Sequence, residues 1–359
     1  MTAPSFSRAD AGHAVGTAPA RRRRDRLAAL LGAPVLLVAL VLSIVLAVTV
    51  GPADLSAGEV WGSILHHLGF GTSDLSVLRD GIVWELRLPR VLTAAAVGAG
   101  LAVSGAVMQA LTRNPLADPY LLGLSAGASL GAVLVLLLGV AISLTVAAFS
   151  GAMLALLGTL LLARSLGVIT PSRTVLAGLA VSSFAGALTS LVIFWNTQGD
   201  SYRQILNWLL GSLAGADWGS VKVAWLTLLL VGVPVILGGR VLDAFAFGDT
   251  AAAALGVHVT RTRWLLLAGT ALLTGAMVSV SGSIGFVGLV LPNAVRLVVG
   301  SRHRLLLPLS ALLGAILMVW VDTGARSLFE PRELPVGIIT VLVGAPVFML
   351  VLLRNRERA

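Results

Sequence analysis

Long stretches without charged residues alternate with short polar segments along this chain. From Leu121 to Ala163, 43 consecutive residues include no Asp, Glu, Lys or Arg. In hydrocarbon, backbone amides must be bonded within their own segment, so such stretches predict membrane-spanning helices of about 20 residues. The pattern also predicts short amphipathic helices at 55–68 and 201–212. The ten predicted spans are roughly 27–50, 91–112, 121–141, 144–165, 174–196, 218–237, 264–281, 284–299, 305–327 and 335–353.

The two ends of the chain are polar. Residues 1–26 are rich in Ala, Gly and Ser and include the arginines 21–24, which predicts a disordered cytoplasmic tail closed by a positive anchor. A cleaved signal peptide is the alternative, but the apolar run 27–50 is long enough to span and no small-x-small cleavage motif follows it. We therefore expect a tail of residues 1–26, a transmembrane domain of residues 27–353 and a cytoplasmic C-terminal tail of residues 354–359.

Basic residues are distributed unevenly between the two sides of these spans. With a cytoplasmic N-terminus, ten crossings place both termini inside, and 18 arginines then fall in cytoplasmic segments against seven basic residues outside. This is the bias that the positive-inside rule describes. Five tryptophans also fall at or beyond the outer helix ends, as in an interfacial aromatic belt. The chain is thus predicted to be a multi-pass protein of the cytoplasmic membrane with both termini inside.

Composition supports the membrane assignment and excludes several chemistries. Hydrophobic residues make up 57% of the chain and charged residues 11%, whereas about a quarter of a soluble domain is charged. The chain has no cysteine, which excludes disulfides, thiolate metal sites and cysteine nucleophiles. None of the five histidines falls in a predicted span, so no metal site is expected. The net charge of +9 lies at helix ends, which fits membrane topology and not a nucleic-acid partner.

The sequence has no motif for nucleotide hydrolysis. A phosphate-binding loop would end in Gly-Lys-Ser or Gly-Lys-Thr, but the single lysine, Lys222, lies between two valines. Any ATP chemistry would therefore belong to another chain. An ion-coupled secondary transporter usually buries carboxylates near the middle of the bilayer, and the nearest one here, Asp322, falls in the outer half of a span. Secondary transport is weakened but stays open. An intramembrane enzyme is disfavoured because cysteine, mid-membrane histidine and paired buried carboxylates are missing.

Four groups of motifs occur in a recognisable order. They are Trp84–Arg90 with Gly98–Gly100 and Ser104–Gln109; Asn114–Pro119 with Leu122–Gly123 and Gly127–Ala128; Gly282–Leu289 with Pro292, Arg296, His303–Arg304 and Leu306–Pro308; and Asp322, Arg326, Glu333–Gly337 and Gly344–Phe348. Together they resemble the FecCD-type family of importer permeases, which carry ferric siderophores, haem and vitamin B12. One position departs from the family pattern, because its usual Pro-His is Pro292–Asn293 here. Asparagine can hydrogen-bond but cannot titrate near neutral pH, so a role of that histidine does not transfer.

The resemblance implies an all-α, polytopic integral membrane protein of ten or so transmembrane helices with the type II ABC importer permease fold. It implies a homodimer, or a heterodimer with a sister permease, together with two cytoplasmic ATPase subunits that bind ATP-Mg and an extracytoplasmic substrate-binding protein. The chain itself would be a transport subunit that catalyses no reaction and holds no cofactor or metal. A ferric siderophore is the expected cargo, given an actinobacterial type of composition, and haem and cobalamin are the alternatives.

The resemblance also assigns a docking site for the binding protein. Arg87, Arg90 and Arg326 match arginines that meet acidic residues on the binding protein in this family. Charge-assisted pairs of arginine and carboxylate suit such reversible docking. Two alternatives are open: the side chains snorkel to lipid headgroups, or Arg326 pairs with Asp322, four residues before it.

The longest internal connection, residues 240–263, resembles the coupling helices that fit a cleft of the ATPase. Its alanines favour a short helix, and Gly256 suits a C-terminal cap. The expected ATPase contacts are Asp249, Thr250, Leu255 and Gly256. An ordinary helix–loop link is the alternative.

The fifth predicted span is expected to border the translocation path. The family has a cytoplasmic constriction at the positions of Pro171 and Ser172. The small polar residues expected to line the path are Ser182, Ser183, Thr189 and Ser190. Close helix packing is the alternative role for such small residues. Gly98, Gly100 and Gly105 are expected to be packing residues and not substrate contacts.

Overall fold

The structure, a computed structural model, consists of α-helices joined by short turns. It describes residues 18–51, 53, 55–71, 75–167, 170–196, 201–328 and 332–356. Within these ranges there is no β-strand, which confirms the predicted all-α class. Of the two predicted tails, residues 1–17 and 357–359 lie outside the described residues.

Sixteen α-helices follow one another in the part of the chain that the structure describes. They are α1 (Ala18–Thr49), α2 (Ala57–His67), α3 (Val77–Gly81), α4 (Leu88–Thr112), α5 (Leu124–Leu138), α6 (Leu144–Ser165), α7 (Pro171–Asn196), α8 (Ser201–Leu209), α9 (Trp218–Thr227), α10 (Val233–Leu237), α11 (Gly239–Phe245), α12 (Asp249–Ala254), α13 (Val259–Ser281), α14 (Val287–Val299), α15 (His303–Ser327) and α16 (Val336–Arg356). Turns of π-helix, Ile82–Arg87 and Leu228–Gly232, join α3 to α4 and α9 to α10. A 3₁₀ turn, Pro119–Leu122, precedes α5.

Every one of the ten predicted spans coincides with an apolar helix. Seven are long enough to cross a membrane by themselves, namely α1, α4 with its extension to Val77, α6, α7, the continuous pair α9 and α10, α13 and α15. The other three, α5, α14 and α16, have shorter apolar stretches. Helix α5 has 15 residues and α14 has 13. They therefore measure about 22 and 20 Å, less than the roughly 30 Å of a hydrocarbon core.

Helix α1 begins at Ala18, so it includes the arginines 21–24 that were expected to close a disordered tail. Alanine and arginine are both good helix formers, which accounts for this extension. The apolar part of α1 that suits a membrane crossing runs from Gly32 to Thr49. Disorder of residues 1–17 stays a prediction.

The two predicted amphipathic pieces form α2 and α8. Helix α2 begins with a capping box, in which the Glu59 backbone N–H donates to the Ser56 hydroxyl and the Ser56 N–H donates to the Glu59 carboxylate (2.7 Å). The hydrogen bonds that the Ser56 N–H and hydroxyl donate to the Glu59 carboxylate lower the pKa of Glu59 below its usual value. Both helices lie between predicted spans, as the sequence indicated.

Helix α4 forms the centre of the bundle. It is buried over nearly its whole length and packs against α15, α13, α14 and α9, whereas much of the surface of α1, α6 and α7 is uncovered. At two crossings of α4 the backbones meet so closely that only glycine fits. A Cβ on Gly98 would overlap the carbonyl oxygen of Gly314, and a Cβ on Gly105 would overlap that of Gly288. A Cβ on Gly100 would meet the flexible side chain of Met277 in α13, so all three glycines lie at contacts between helices, as predicted.

Candidate functional site

Two breaks between helices meet inside the bundle. The first, residues 113–123, separates α4 from α5, and the second, residues 282–286, separates α13 from α14. The Tyr120 hydroxyl donates to the carbonyl oxygen of Ile284 (2.9 Å) and accepts from its N–H (3.3 Å). Non-helical backbone is tolerated at membrane depth only where the protein satisfies its polar groups. These hydrogen bonds do so, and they hold the two breaks together.

Helix α14 contains a proline whose missing N–H is compensated from α4. Pro292 cannot donate to the carbonyl oxygen of Gly288, the usual acceptor four residues earlier. The Gln109 amide nitrogen supplies the donor, at 3.3 Å from that oxygen and 3.2 Å from the carbonyl oxygen of Leu289. The Gln109 amide oxygen in turn accepts from Arg296 (3.1 Å). Helix α4 thus braces α14 at its proline.

Asn293, where the family usually has histidine, belongs to the same polar group of side chains. Its Nδ2 donates to the carbonyl oxygens of Pro115 and Leu289, both at 2.8 Å. Its Oδ1 accepts from Arg296 Nη1 at 2.6 Å. Asparagine therefore makes three hydrogen bonds, and the one to Pro115 ties α14 to the first break. It does so without a group that titrates near neutral pH.

The arginines expected to dock a binding protein lie at one end of the bundle, and their side chains point inward. Arg87 is 4% exposed and donates to the carbonyl oxygens of Thr49 (3.2 Å) and Ala53 (2.7 Å). Arg326 is 3% exposed and donates to the carbonyl oxygen of Ala47 (2.5 Å). The last carbonyls of a helix lack helical donors. The two guanidinium groups therefore cap the C-terminal end of α1.

Arg90, which is 8% exposed, joins α4 to two acidic residues. Its Nε lies 3.0 Å from both carboxylate oxygens of Asp322 in α15, and its Nη1 lies 2.8 Å from Glu333. Asp322 is fully buried and also lies 3.9 Å from Arg326, its predicted alternative partner. The Glu333 side chain is 42% exposed. Such burial does not fit snorkelling to headgroups. Docking of a binding protein by Arg87, Arg90 and Arg326 involves a second protein, so it stays a prediction.

The loop 240–263 contains the short helix that its alanines predicted. This helix, α12, is followed by Gly256 with φ +82°, the left-handed conformation of a C-terminal cap. Asp249, Thr250 and Leu255 are exposed, so a partner can reach them. Their contact with an ATPase stays a prediction.

Sequence reasoning missed two further residues of this loop. Phe247, beside α12, is 79% exposed, and an aromatic residue in a polar loop was a visible signal for it. Arg263, the fifth residue of α13, donates to Asp249 Oδ1 at 2.7 Å. Its guanidinium carbon lies 5.6 Å from the ring centroid of Phe245. No local sequence pattern predicts the pairing of Arg263 with Asp249, because the two residues are 14 positions apart along the chain.

Helix α7 carries the residues predicted for the gate and the path. It begins at Pro171, and Ser172 is exposed. Ser183 and Ser190 are exposed as well, and their spacing of seven places them on one helix face. The structure thus brings both serines to an uncovered side of α7.

Thr189 and Ser182 differ from these two serines. Thr189 is 7% exposed and donates to the carbonyl oxygen of Ala185 in its own helix (2.8 Å). Ser182 is half-buried. Thr189 is therefore buried within this chain, and a path-lining role for it stays a prediction.

These features define a class of protein. A buried central helix is surrounded by apolar helices that suit a membrane, with a buried cluster of charges at one end and an exposed loop containing apolar side chains at the other. This is the architecture of a polytopic transport subunit. The chain matches the FecCD transport family over residues 27–354, and it belongs to that family.

Several curated relatives cover most of the chain. It is 42% identical to the uncharacterised ABC transporter permease protein YvrB of Bacillus subtilis over 89% of this chain and 92% of the relative. It is 44% identical to the vitamin B12 import system permease protein BtuC of Vibrio cholerae, over 84% and 90%. It is 41% identical to the hemin transport system permease protein HmuU of Yersinia pestis, over 77% and 84%.

A solved structure has the same fold. It is described as an inward-facing conformation of a metal-chelate type ABC transporter, and it matches with a TM-score of 0.77 at 32% identity, covering 90% of this chain and 98% of that one. The chain is therefore an ABC importer permease and a multi-pass membrane protein, and the predicted fold class is confirmed.

Proposed function

We propose that this permease imports a metal chelate and that vitamin B12 is its first candidate cargo. The observation that carries the proposal is the similarity, at 44% and 41% identity, to permeases named for vitamin B12 and for hemin. Both compounds are metal-bearing macrocycles, so hemin is the second candidate. The ferric siderophore expected from composition has no counterpart among the relatives described above, and it becomes the third compound to test.

A second permease subunit, identical or homologous, completes the translocation path in this proposal. Helix α7 exposes Ser183 and Ser190 among large apolar side chains. Hydroxyl groups on an uncovered face suit a path between two subunits better than contact with lipid tails. Pro171 and Ser172, at the start of the same helix, would then form the cytoplasmic gate.

Two ATPase subunits, which would bind ATP-Mg, dock on the surface around α12 in this proposal. Phe247 and Leu255 are 79% and 69% exposed within a loop between spans. Neighbouring apolar side chains exposed outside the membrane mark a contact with a partner protein. Asp249 and Thr250 add polar groups to the same surface. The chain itself supplies no catalytic residue and no cofactor.

The substrate-binding protein would dock at the end of the bundle that contains Arg87, Arg90 and Arg326. In the isolated chain these arginines bind internal acceptors. Acidic residues of the partner would therefore compete with Glu333 for Arg90, because Glu333 is the partly exposed carboxylate. Asp322, which is buried between helices, would stay in place.

The cargo is tested by uptake into proteoliposomes that contain the whole transporter with its binding protein. Labelled cyanocobalamin, hemin and a ferric hydroxamate are offered in parallel, with vesicles lacking ATP as the control. We expect ATP-dependent accumulation of cyanocobalamin. Accumulation of hemin or the hydroxamate alone would contradict the first candidate. A transporter that hydrolyses ATP but accumulates none of the three would contradict a metal-chelate cargo.

A further inference from the structure

The side chain of Arg263 connects α12 to the transmembrane bundle. We infer that Arg263 is a positioning residue, which fixes α12 against α13 so that a displacement of α12 is passed into the membrane. The inference rests on the proposed contact between α12 and the ATPase. It adds a residue that takes no part in that contact itself.

The geometry around Arg263 joins three helices. Its Nη2 donates to Asp249, the first residue of α12, at 2.7 Å. Its guanidinium carbon lies 5.6 Å from the ring centroid of Phe245, at the end of α11, and a cation above an aromatic ring is attracted to it. Phe245 is 2% exposed and packs in the main hydrophobic core. Arg263 itself belongs to the first turns of α13. The Arg263 side chain thus connects α12 to Phe245, a residue of the hydrophobic core.

Other connections between α12 and the bundle are few. Ala252 is the only buried residue of α12. Among the described residues, the pair of Arg263 and Asp249 is the only side-chain hydrogen bond that α12 makes with another helix. The contact of one buried alanine can slide, whereas a charge-assisted hydrogen bond has a defined length and direction. Without Arg263, α12 would be free to move while α13 stays still.

The ion pair of Arg263 and Asp249 should affect the motion of α12 more than the folding stability of the chain. The Asp249 side chain is 47% exposed and that of Arg263 is 19% exposed. Ion pairs with a half-exposed partner contribute little to folding stability. The Arg263 side chain also lines a small cavity beside Met108 of α4 and Thr174 of α7. A shift of its guanidinium group would therefore reach the central helix and the predicted gate helix.

The test compares ATP hydrolysis with cargo uptake in the same proteoliposomes. In Arg263→Gln, we expect ATP hydrolysis to continue near the wild-type rate while uptake falls about tenfold, a typical coupling magnitude. The number of ATP molecules used per cargo molecule rises accordingly. Arg261→Gln, two residues earlier on an exposed part of the same helix, is the matched control and keeps the wild-type ratio.

A variant that keeps the charge separates positioning from a general effect on the fold. Arg263→Lys, which keeps the charge, replaces Arg263→Gln if the glutamine variant is not recovered as a monodisperse protein. We expect its ratio of ATP used to cargo imported to lie between those of wild type and Arg263→Gln. A wild-type ratio in Arg263→Gln, or in Arg263→Lys where only that variant is recovered, would overturn the inference.

The variant Leu255→Arg examines the proposed ATPase surface independently. We expect the ATPase subunits to be lost from this variant on copurification, but to be retained by Arg263→Gln. Normal copurification with Leu255→Arg would overturn the proposed coupling surface, and the positioning role with it. Loss of the ATPase from Arg263→Gln would make Arg263 a docking residue and overturn its positioning role alone.

Discussion

Replacing Asp322 by alanine is expected to prevent accumulation of a stable permease. Its carboxylate accepts one bifurcated hydrogen bond from Arg90 Nε and lies near Arg326, all inside the bundle. Removing one partner of a buried ion pair leaves an uncompensated charge and costs about 3–5 kcal/mol. That is a large part of the roughly 5–15 kcal/mol by which native domains are stable. The yield of monodisperse protein and its unfolding temperature in detergent measure the effect.

Two variants control this experiment. Glu333→Ala removes the other, partly exposed partner of Arg90, and we expect it to cost no more than about 1 kcal/mol. Arg90→Met combined with Asp322→Leu removes both charges, so it should be more stable than Asp322→Ala alone. An Asp322→Ala protein with the yield and unfolding temperature of wild type would contradict the buried bridge.

Gly105→Ala is expected to destabilise the contact between α4 and α14. The new Cβ would overlap the carbonyl oxygen of Gly288, which is backbone and cannot rotate away. Overpacking of this kind costs about 1–3 kcal/mol. The two helices would also move apart where Gln109 hydrogen-bonds to α14, so uptake should fall together with the unfolding temperature. Thermal unfolding in detergent and uptake in proteoliposomes measure the two effects.

The matched control is Gly186→Ala in α7. A Cβ at this position would meet no atom within 4 Å. Alanine is the better helix former by about 1 kcal/mol, so this variant should be as stable as wild type or slightly more stable. If Gly105→Ala and Gly186→Ala had the same unfolding temperature, the close approach of α4 and α14 would be refuted.

The helices could be predicted from the sequence because their cause is local. Each span is an uncharged stretch whose own composition decides that it is helical in lipid. The short helix α12 likewise depends on neighbouring alanines and on Gly256, which ends it. Span lengths were predicted less well for α5 and α14. Their helices begin later than the apolar pattern does, because the breaks before them are stabilised by contacts from distant residues such as Tyr120.

The contacts of Arg87 and Arg90 could not be predicted, because their partners are distant in sequence, whereas the pairing of Arg326 with Asp322, four residues away, was foreseen as an alternative. Arg90 and Asp322 are 232 residues apart, and Arg87 binds carbonyl oxygens that become free only where α1 ends. The family resemblance indicated that these arginines face an acidic partner, and it could not show which acceptors within the chain are available to Arg87 and Arg90. The same limit explains why Gln109, which compensates Pro292 from another helix, was not singled out.

The central claim is that this chain moves its cargo only when ATP is hydrolysed on a separate subunit. Uptake by proteoliposomes that hold the chain with or without its ATPase subunits tests it directly, with an ionophore added to collapse ion gradients. We expect uptake only when the ATPase subunits and ATP are both present, and we expect the ionophore to leave it unchanged. Uptake driven by a proton gradient in vesicles that contain this chain alone would contradict the claim.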